Sequence, residues 1–147
     1  MKILIDTNIL VHAHNASSPH QEKASHLIIQ AMESKTQPIL LPQNLYEFFA
    51  VVTNPRRIEN PLSVEEAISI CEDFWFSEKM IIIEPTTTTT LMVFSLIEEY
   101  KIKKARIFDC VIAATALEFG IGTIYTENTR DFEDFSFLEI INPFNNS

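Results

Sequence analysis

Along this chain, apolar runs of three to five residues alternate with longer stretches in which apolar side chains recur every three or four positions. The short runs, rich in Ile and Leu, predict strands over 2–5, 38–41, 80–83, 123–125 and 137–141. The longer stretches predict helices around 8–14, 19–34, 43–53, 63–76, 87–100 and 107–119, with a short turn after 127. Pro42, Ser63 and the run Thr86 to Thr90 stand near helix starts, and Gly120 stands just past an end. Pro55, Pro61 and Pro85 punctuate connections. Strands alternating with helices imply an α/β chain, a mostly parallel sheet of about five strands flanked by helices.

Several acidic residues break this pattern. Asp6 closes the apolar run Lys2-Ile3-Leu4-Ile5, at a strand's carboxyl end, where open α/β sheets place their functional crevice. Glu47 and Asp109 lie on helical stripes that otherwise read as buried: Ala50 and Val51 follow Glu47 at helical spacing, and Ile112, Ala113 and Ala116 follow Asp109. The segment Thr123 to Phe132 repeats the form seen at Asp6, a short strand followed by a polar turn carrying Thr126, Asn128 and Asp131. Each acid has a bland explanation as a cap or ion-pair partner, including Asp109 with Arg106 or Lys104. Four together favour a shared site. Carboxylates without His or Cys ligands make a hard-oxygen environment suited to Mg²⁺ or Mn²⁺. Converging on one point, they would raise one another's pKa until a divalent ion entered.

With 147 residues, 46% of them hydrophobic, and 11 Phe, the chain can bury the core of a single domain spanning 1–147, leaving only Asn145 to Ser147 as a loose tail. No stretch reaches the length of a spanning helix and Asp6 interrupts the first apolar run, so a soluble, cytoplasmic protein without membrane association is expected. Cys71 and Cys110 read as buried structural thiols, and His12, His14, His20 and His26 as surface or packing residues. The net charge of −9 opposes non-specific attraction to a polyanion. Local basic clusters remain at Arg56 and Arg57 and at Lys101, Lys103, Lys104 and Arg106, with Arg130 near the last turn.

Four blocks come in order: Ile3-Leu4-Ile5-Asp6-Thr7-Asn8; Tyr46-Glu47-Phe48 running into Val52-Thr53-Asn54-Pro55-Arg56; Arg106-Ile107-Phe108-Asp109 into Ile112-Ala113-Ala114-Thr115-Ala116; and Thr126-Glu127-Asn128-Thr129-Arg130-Asp131-Phe132. Together they resemble the PIN-domain ribonucleases, especially the VapC-type toxins, from residue 3 to residue 132.

The resemblance implies a PIN-like α/β/α sandwich and a Mg²⁺- or Mn²⁺-dependent endoribonuclease in which Asp6, Glu47 and Asp109 hold metal. Thr7, Asn8, Thr126 and Asn128 would position water, metal or phosphate, and Arg106 would orient Asp109 or contact substrate. Many relatives carry a fourth acid shortly after the threonine that follows the fourth strand, where this chain has Asn128. Asp131 is favoured for that role, with Asn128 as a neutral neighbour. Arg56, Arg57, Lys101, Lys103, Lys104 and Arg130 are the candidate RNA contacts. An inhibitory antitoxin and a homodimer are further implied, and Phe48, Phe49, Phe74, Phe76, Phe132 and Phe135 are compatible with an apolar groove for a partner helix as well as with core packing.

Three alternatives stand beside this reading. A PIN-type RNA-processing nuclease outside a toxin–antitoxin pair would carry the same acids, and a catalytically silent PIN-like binding module would use them to hold a partner's basic side chains. A phosphoryl-transfer domain with Asp6 as covalent nucleophile lacks its second acid in Asp6-Thr7-Asn8. With only Gly120 and Gly122, the chain has no phosphate-cradling glycine loop.

Overall fold

The computed structural model of the protein describes residues 1–145; Asn146 and Ser147, expected as part of the tail, lie outside the described residues. Five strands, β1 (Lys2–Ile5), β2 (Gln37–Leu40), β3 (Ile81–Ile82), β4 (Thr123–Tyr125) and β5 (Glu139–Ile141), form one parallel sheet in the order β3-β2-β1-β4-β5. Six helices accompany them: α1 (Thr7–Ala13), α2 (Gln21–Glu33), α3 (Pro42–Val52), α4 (Val64–Phe76), α5 (Thr87–Tyr100) and α6 (Arg106–Glu118). A 3₁₀ turn at Thr129–Asp131 follows β4.

Side chains alternate across the sheet, so successive strand residues feed opposite cores. Leu4, Ile39 and Leu41 join α5 and α6 residues such as Val93, Leu96, Ile112 and Ala113. Ile5 and Leu40 join Ile9, Ile28, Leu45, Phe48 and Phe74 of α1 to α4. Helices on both faces make the three-layered α/β/α architecture that the pattern predicts. They also explain why the strands read as unbroken apolar runs. Pro38, paired with Ile3 of β1, precedes the stretch of β2 that bonds β3, so its missing N–H leaves no gap in the ladder.

Predicted ends move by one or two residues, each for a local reason. Leu41 leaves β2 because its N–H donates to Asn44 Oδ1 at 2.8 Å, making it the residue before α3, which Pro42 opens. Residues 137–138 do not pair, since Leu138 closes a turn onto the Phe135 carbonyl at 3.0 Å. The threonine run does act through its hydroxyls: Thr89 N–H donates to Thr86 Oγ1 at 3.2 Å and Thr86 N–H to Thr89 Oγ1 at 2.8 Å. Gly120 ends α6 with φ +68°, a left-handed conformation that glycine adopts without strain.

The strand order decides where chemistry can sit. From β1 the chain builds outward to β2 and β3, then returns to add β4 and β5 on the other side. The connections that leave β1 and β4, helix α1 and the 3₁₀ turn, therefore lead to opposite sides of the sheet order, and a crevice opens beyond the carboxyl ends of these strands.

Candidate active site

Asp6 and Thr126 follow the last residues of β1 and β4, the two strands at that switch point. Asp6 is buried and makes both kinds of contact the sequence allowed. Its Oδ1 accepts from the Thr7 N–H at 2.8 Å, capping α1, while its Oδ2 accepts from Thr126 Oγ1 at 2.7 Å and Asn8 Nδ2 at 3.2 Å. Asn8 also donates to Thr126 Oγ1 at 3.2 Å and accepts from the Glu127 N–H at 3.0 Å, tying α1 to the loop after β4. Burial raises the Asp6 pKa and the Glu47 charge adds to this, while the bonds from Thr126, Thr7 and Asn8 oppose it.

Glu47 enters from α3. Its Oε2 accepts from Thr7 Oγ1 at 3.1 Å and its Oε1 from Gln43 Nε2 at 2.7 Å. Asn44, fully buried, supports the same corner by donating to Thr7 Oγ1 at 3.2 Å.

Asp109 enters from the first turn of α6, half-buried. Burial first, then the charges of Asp131, Asp6 and Glu47, push its carboxyl up to about 7, with Arg106 pulling weakly the other way. Burial is the largest cause and the like charges add to it. Among the described residues, no three acidic, imidazole or thiol groups close into a ready ligand cage, so the acids form an open set across the cavity.

That cavity, about 420 Å³, is lined by Asp6, Thr7, Asn8, Glu47, Asp109 and Asn128, with Val11, His12, Ala50, Val51 and Arg57 around them. Four helical and loop segments far apart in sequence thus converge on one concavity. A scan against protein-family models matches the PIN domain over residues 3–138. The chain belongs to the PIN-domain family. Among curated proteins, this PIN domain is 27% identical to Ribonuclease VapC24 of Mycobacterium tuberculosis over 139 residues, covering 95% of this chain and 94% of that one. It is 26% identical to Ribonuclease VapC48 of the same organism over 144 residues, covering 98% and 99%. Solved structures share the PIN fold at lower identity. The M. tuberculosis VapC20 structure, described as a Sarcin-Ricin loop cleaving toxin, superposes with a TM-score of 0.71 at 16% identity, covering 93% of this chain and 97% of that one. VapBC2 from Rickettsia felis, bound to a DNA fragment from its promoter, gives 0.68 at 19%, covering 97% and 98%.

Against this PIN-domain frame, the predicted residues divide. Asp6, Glu47, Asp109, Thr7, Asn8 and Asn128 line the cavity, and buried Thr126 lies bonded beneath it. Asp131 is outside the lining, although its charge is the largest acting on Asp109. Arg106 makes no hydrogen bond to Asp109; its Nη2 donates to Asp134 at 3.1 Å and to the Asp131 carbonyl at 3.4 Å. Those acceptors lie on the turn that follows β4, and they draw the guanidinium away from the cavity. Of the basic candidates, Arg57 reaches the lining, whereas Arg56, Lys101, Lys103, Lys104 and Arg130 are exposed and outside it. Lys101 and Lys104 adopt left-handed backbone, φ 55° and 58°, in the turn that delivers α6.

Three contributors escape the sequence pattern. His12 stands on the cavity wall, its Nε2 paired with Glu127 and its Nδ1 2.6 Å from Ser18 Oγ. Its spacing four residues after Asn8 puts it on the same face of α1, which was the available signal. Gln43, four residues before Glu47, and Asn44 were hidden as ordinary helix-start polar residues. The other histidines pack as expected: His14 lies edge-on to Phe48 at 5.4 Å, and His20 stacks on Phe144 at 4.4 Å.

An apolar groove of about 470 Å³ lies between α3 and α4, lined by Pro42, Leu45, Tyr46, Phe49, Ile68, Cys71, Glu72 and Trp75. Of the phenylalanines suspected of forming such a groove, Phe49 does so. Phe48, Phe74, Phe132 and Phe135 are core, and Phe76 is exposed on α4.

Proposed function

We propose that this PIN domain, a single unit over residues 1–147, is a divalent-metal-dependent endoribonuclease and the toxin of a VapBC-type pair. The carrying observation is the convergence of Asp6, Glu47 and Asp109 on one cavity, with Asp109 pushed up to about 7 by burial and by acids facing it. An all-oxygen, net-negative donor set fits Mg²⁺ or Mn²⁺ better than softer ions.

Asp6, Glu47 and Asp109 would hold the ion. When bound, it supplies a polarised phosphate and an activated water for phosphodiester hydrolysis. Asp6 is fixed by Thr126 and Asn8, and Glu47 by Thr7, so two carboxylates are aimed before any ligand arrives. Asp131 acts on Asp109 as a negative group from outside the lining, and Asn128 supplies a neutral polar side chain to the wall. Arg57 on the rim, with Arg56, Lys101, Lys103, Lys104 and Arg130 further out, would meet RNA phosphates.

The named relatives are ribonucleases, and several fold neighbours are toxin–antitoxin complexes. A cognate antitoxin is therefore the proposed protein partner. Its apolar helix would take the groove beside Tyr46, from which a basic residue could reach acidic Glu47 one position along α3. No helix of the described residues is long and apolar enough to cross a membrane. A cytoplasmic homodimer completes the proposal.

The test is cleavage of a mixed RNA pool by wild type, Asp6→Asn and Asp109→Asn, each shown to be folded, with Mg²⁺, Mn²⁺ or EDTA. Metal-dependent cleavage lost in both variants is expected. Cleavage that persists in both variants or in EDTA refutes the assignment. Failure to co-purify with the product of the adjacent gene would remove the antitoxin.

A further inference from the structure

The geometry points to Gln43 as a positioning residue that braces Glu47 against α6 beside Asp109 and thereby sets divalent-cation affinity and selectivity. This inference rests on the metal site proposed above. Gln43 Nε2 lies 2.7 Å from Glu47 Oε1 and 3.1 Å from the Phe108 carbonyl oxygen. Both partners are acceptors, so the amide nitrogen must face them, with one N–H directed to each.

The consequence is a two-way clamp. Gln43 and Glu47 share a face of α3 one turn apart. Phe108 immediately precedes Asp109 in the first turn of α6. One amide group therefore links the side chain of one proposed ligand to the backbone bearing another. The opposite oxygen of Glu47 is held by Thr7 at 3.1 Å, which leaves the carboxylate little freedom to rotate. Without Gln43, Glu47 is tethered at one oxygen only, and nothing else in the hydrogen-bond network of the described residues joins its side chain to α6.

The chemistry predicts which ions notice. Mg²⁺ and Mn²⁺ demand near-octahedral oxygen placement, whereas Ca²⁺ accepts longer and more variable bonds. A loosened Glu47 should weaken the smaller ions selectively, and loss of an outer support of this kind typically lowers metal affinity about 10-fold or more.

The experiment is calorimetric titration of Mn²⁺, and separately Ca²⁺, into intact metal-free wild type, Gln43→Met and Gln43→Glu. Met keeps length and packing without donors; Glu replaces the donors by acceptors. We expect Mn²⁺ to bind about 10-fold more weakly to Gln43→Met while Ca²⁺ changes by less than about 2-fold, with the melting temperature unmoved. Gln43→Glu should not restore wild-type Mn²⁺ affinity, because it cannot donate to either acceptor. Unchanged Mn²⁺ affinity in folded Gln43→Met overturns the brace, and so does equal weakening of both ions. Wild type that takes up neither ion overturns instead the metal-site reading on which the brace depends.

Discussion

The sharpest consequence of the acid cluster is a stability that falls as pH rises in metal-free protein. Asp109 carries it. Its carboxyl moves from 3.8 to about 7, driven by burial and then by Asp131, Asp6 and Glu47. Between about pH 4 and pH 7 the folded state therefore holds a proton that the unfolded chain has released. Stability from the protonated form is complete below the unfolded value and lost as pH climbs through the folded one. At about 1.4 kcal/mol for each pH unit the full displacement would correspond to about 4 kcal/mol. Solvent reaches the half-buried side chain and reduces this to about 2 kcal/mol, or about 6 °C in melting temperature for a domain of this size.

Asp109→Asn removes the titrating group and keeps its shape. Melting followed by circular dichroism in EDTA, at pH 5 and pH 7.5, should show wild type losing several degrees that the variant retains. Asp6 is also raised, and contributes the same sign in both proteins. The informative quantity is thus the difference between the two pH trends. Mn²⁺ at pH 7.5 should raise wild type and leave the variant nearly unmoved. Parallel trends for the two proteins would refute the electrostatic account, whatever the absolute melting temperatures.

Three further outcomes are expected. Asp131→Asn should shift the pH profile of metal-dependent cleavage to lower pH, because the largest charge raising Asp109 is gone; an unchanged profile and metal dependence would remove Asp131 from the site. Arg57→Ala should raise KM for RNA several-fold with kcat nearly constant and flatten the salt dependence by about one ion; an unaltered KM would leave Arg57 a bystander. Ser63→Ala, which removes the hydroxyl that accepts from the Glu66 N–H at 3.1 Å at the start of α4 and leaves the backbone N–H bond to Glu66 Oε1 in place, should lower urea stability by about 1 kcal/mol without touching metal affinity.

The sheet and helices were legible because each element repeats one periodicity and ends at recognisable chemistry, as Ser63, Pro42 and Gly120 show. The three inner acids were legible as a set, because Asp6 ends an apolar strand while Glu47 and Asp109 interrupt helical stripes that otherwise read as buried. What the sequence hid depends on contacts between distant segments. Arg106 precedes Asp109 by three residues and looked like its helical partner, yet the turn after β4 offers Asp134 and a carbonyl in a better direction. Asn128 and Asp131 lie three apart on that turn, and only its winding decides that the amide lines the cavity while the acid stays outside the lining with its charge still acting on Asp109. Gln43 had no pattern to betray it, since its second acceptor is sixty-five residues away.

Two side-chain pairings at the edge of the crevice, His12 with Glu127 and Arg106 with Asp134, help the crevice keep its charge. His12 lies on the cavity wall and Arg106 within electrostatic reach of Asp109, so either side chain could have bonded the inner acids. Each is instead taken by an acid outside the inner set, His12 by Glu127 and Arg106 by Asp134. The bonds received by Asp6 and Glu47 come from Thr7, Asn8, Thr126 and Gln43, all neutral donors. Neutral donors fix direction without cancelling charge, whereas a bound guanidinium would compete with a divalent ion for the same oxygens. The acids are thereby oriented at the expense of metal-free stability, and the deficit is what a cation would relieve on binding.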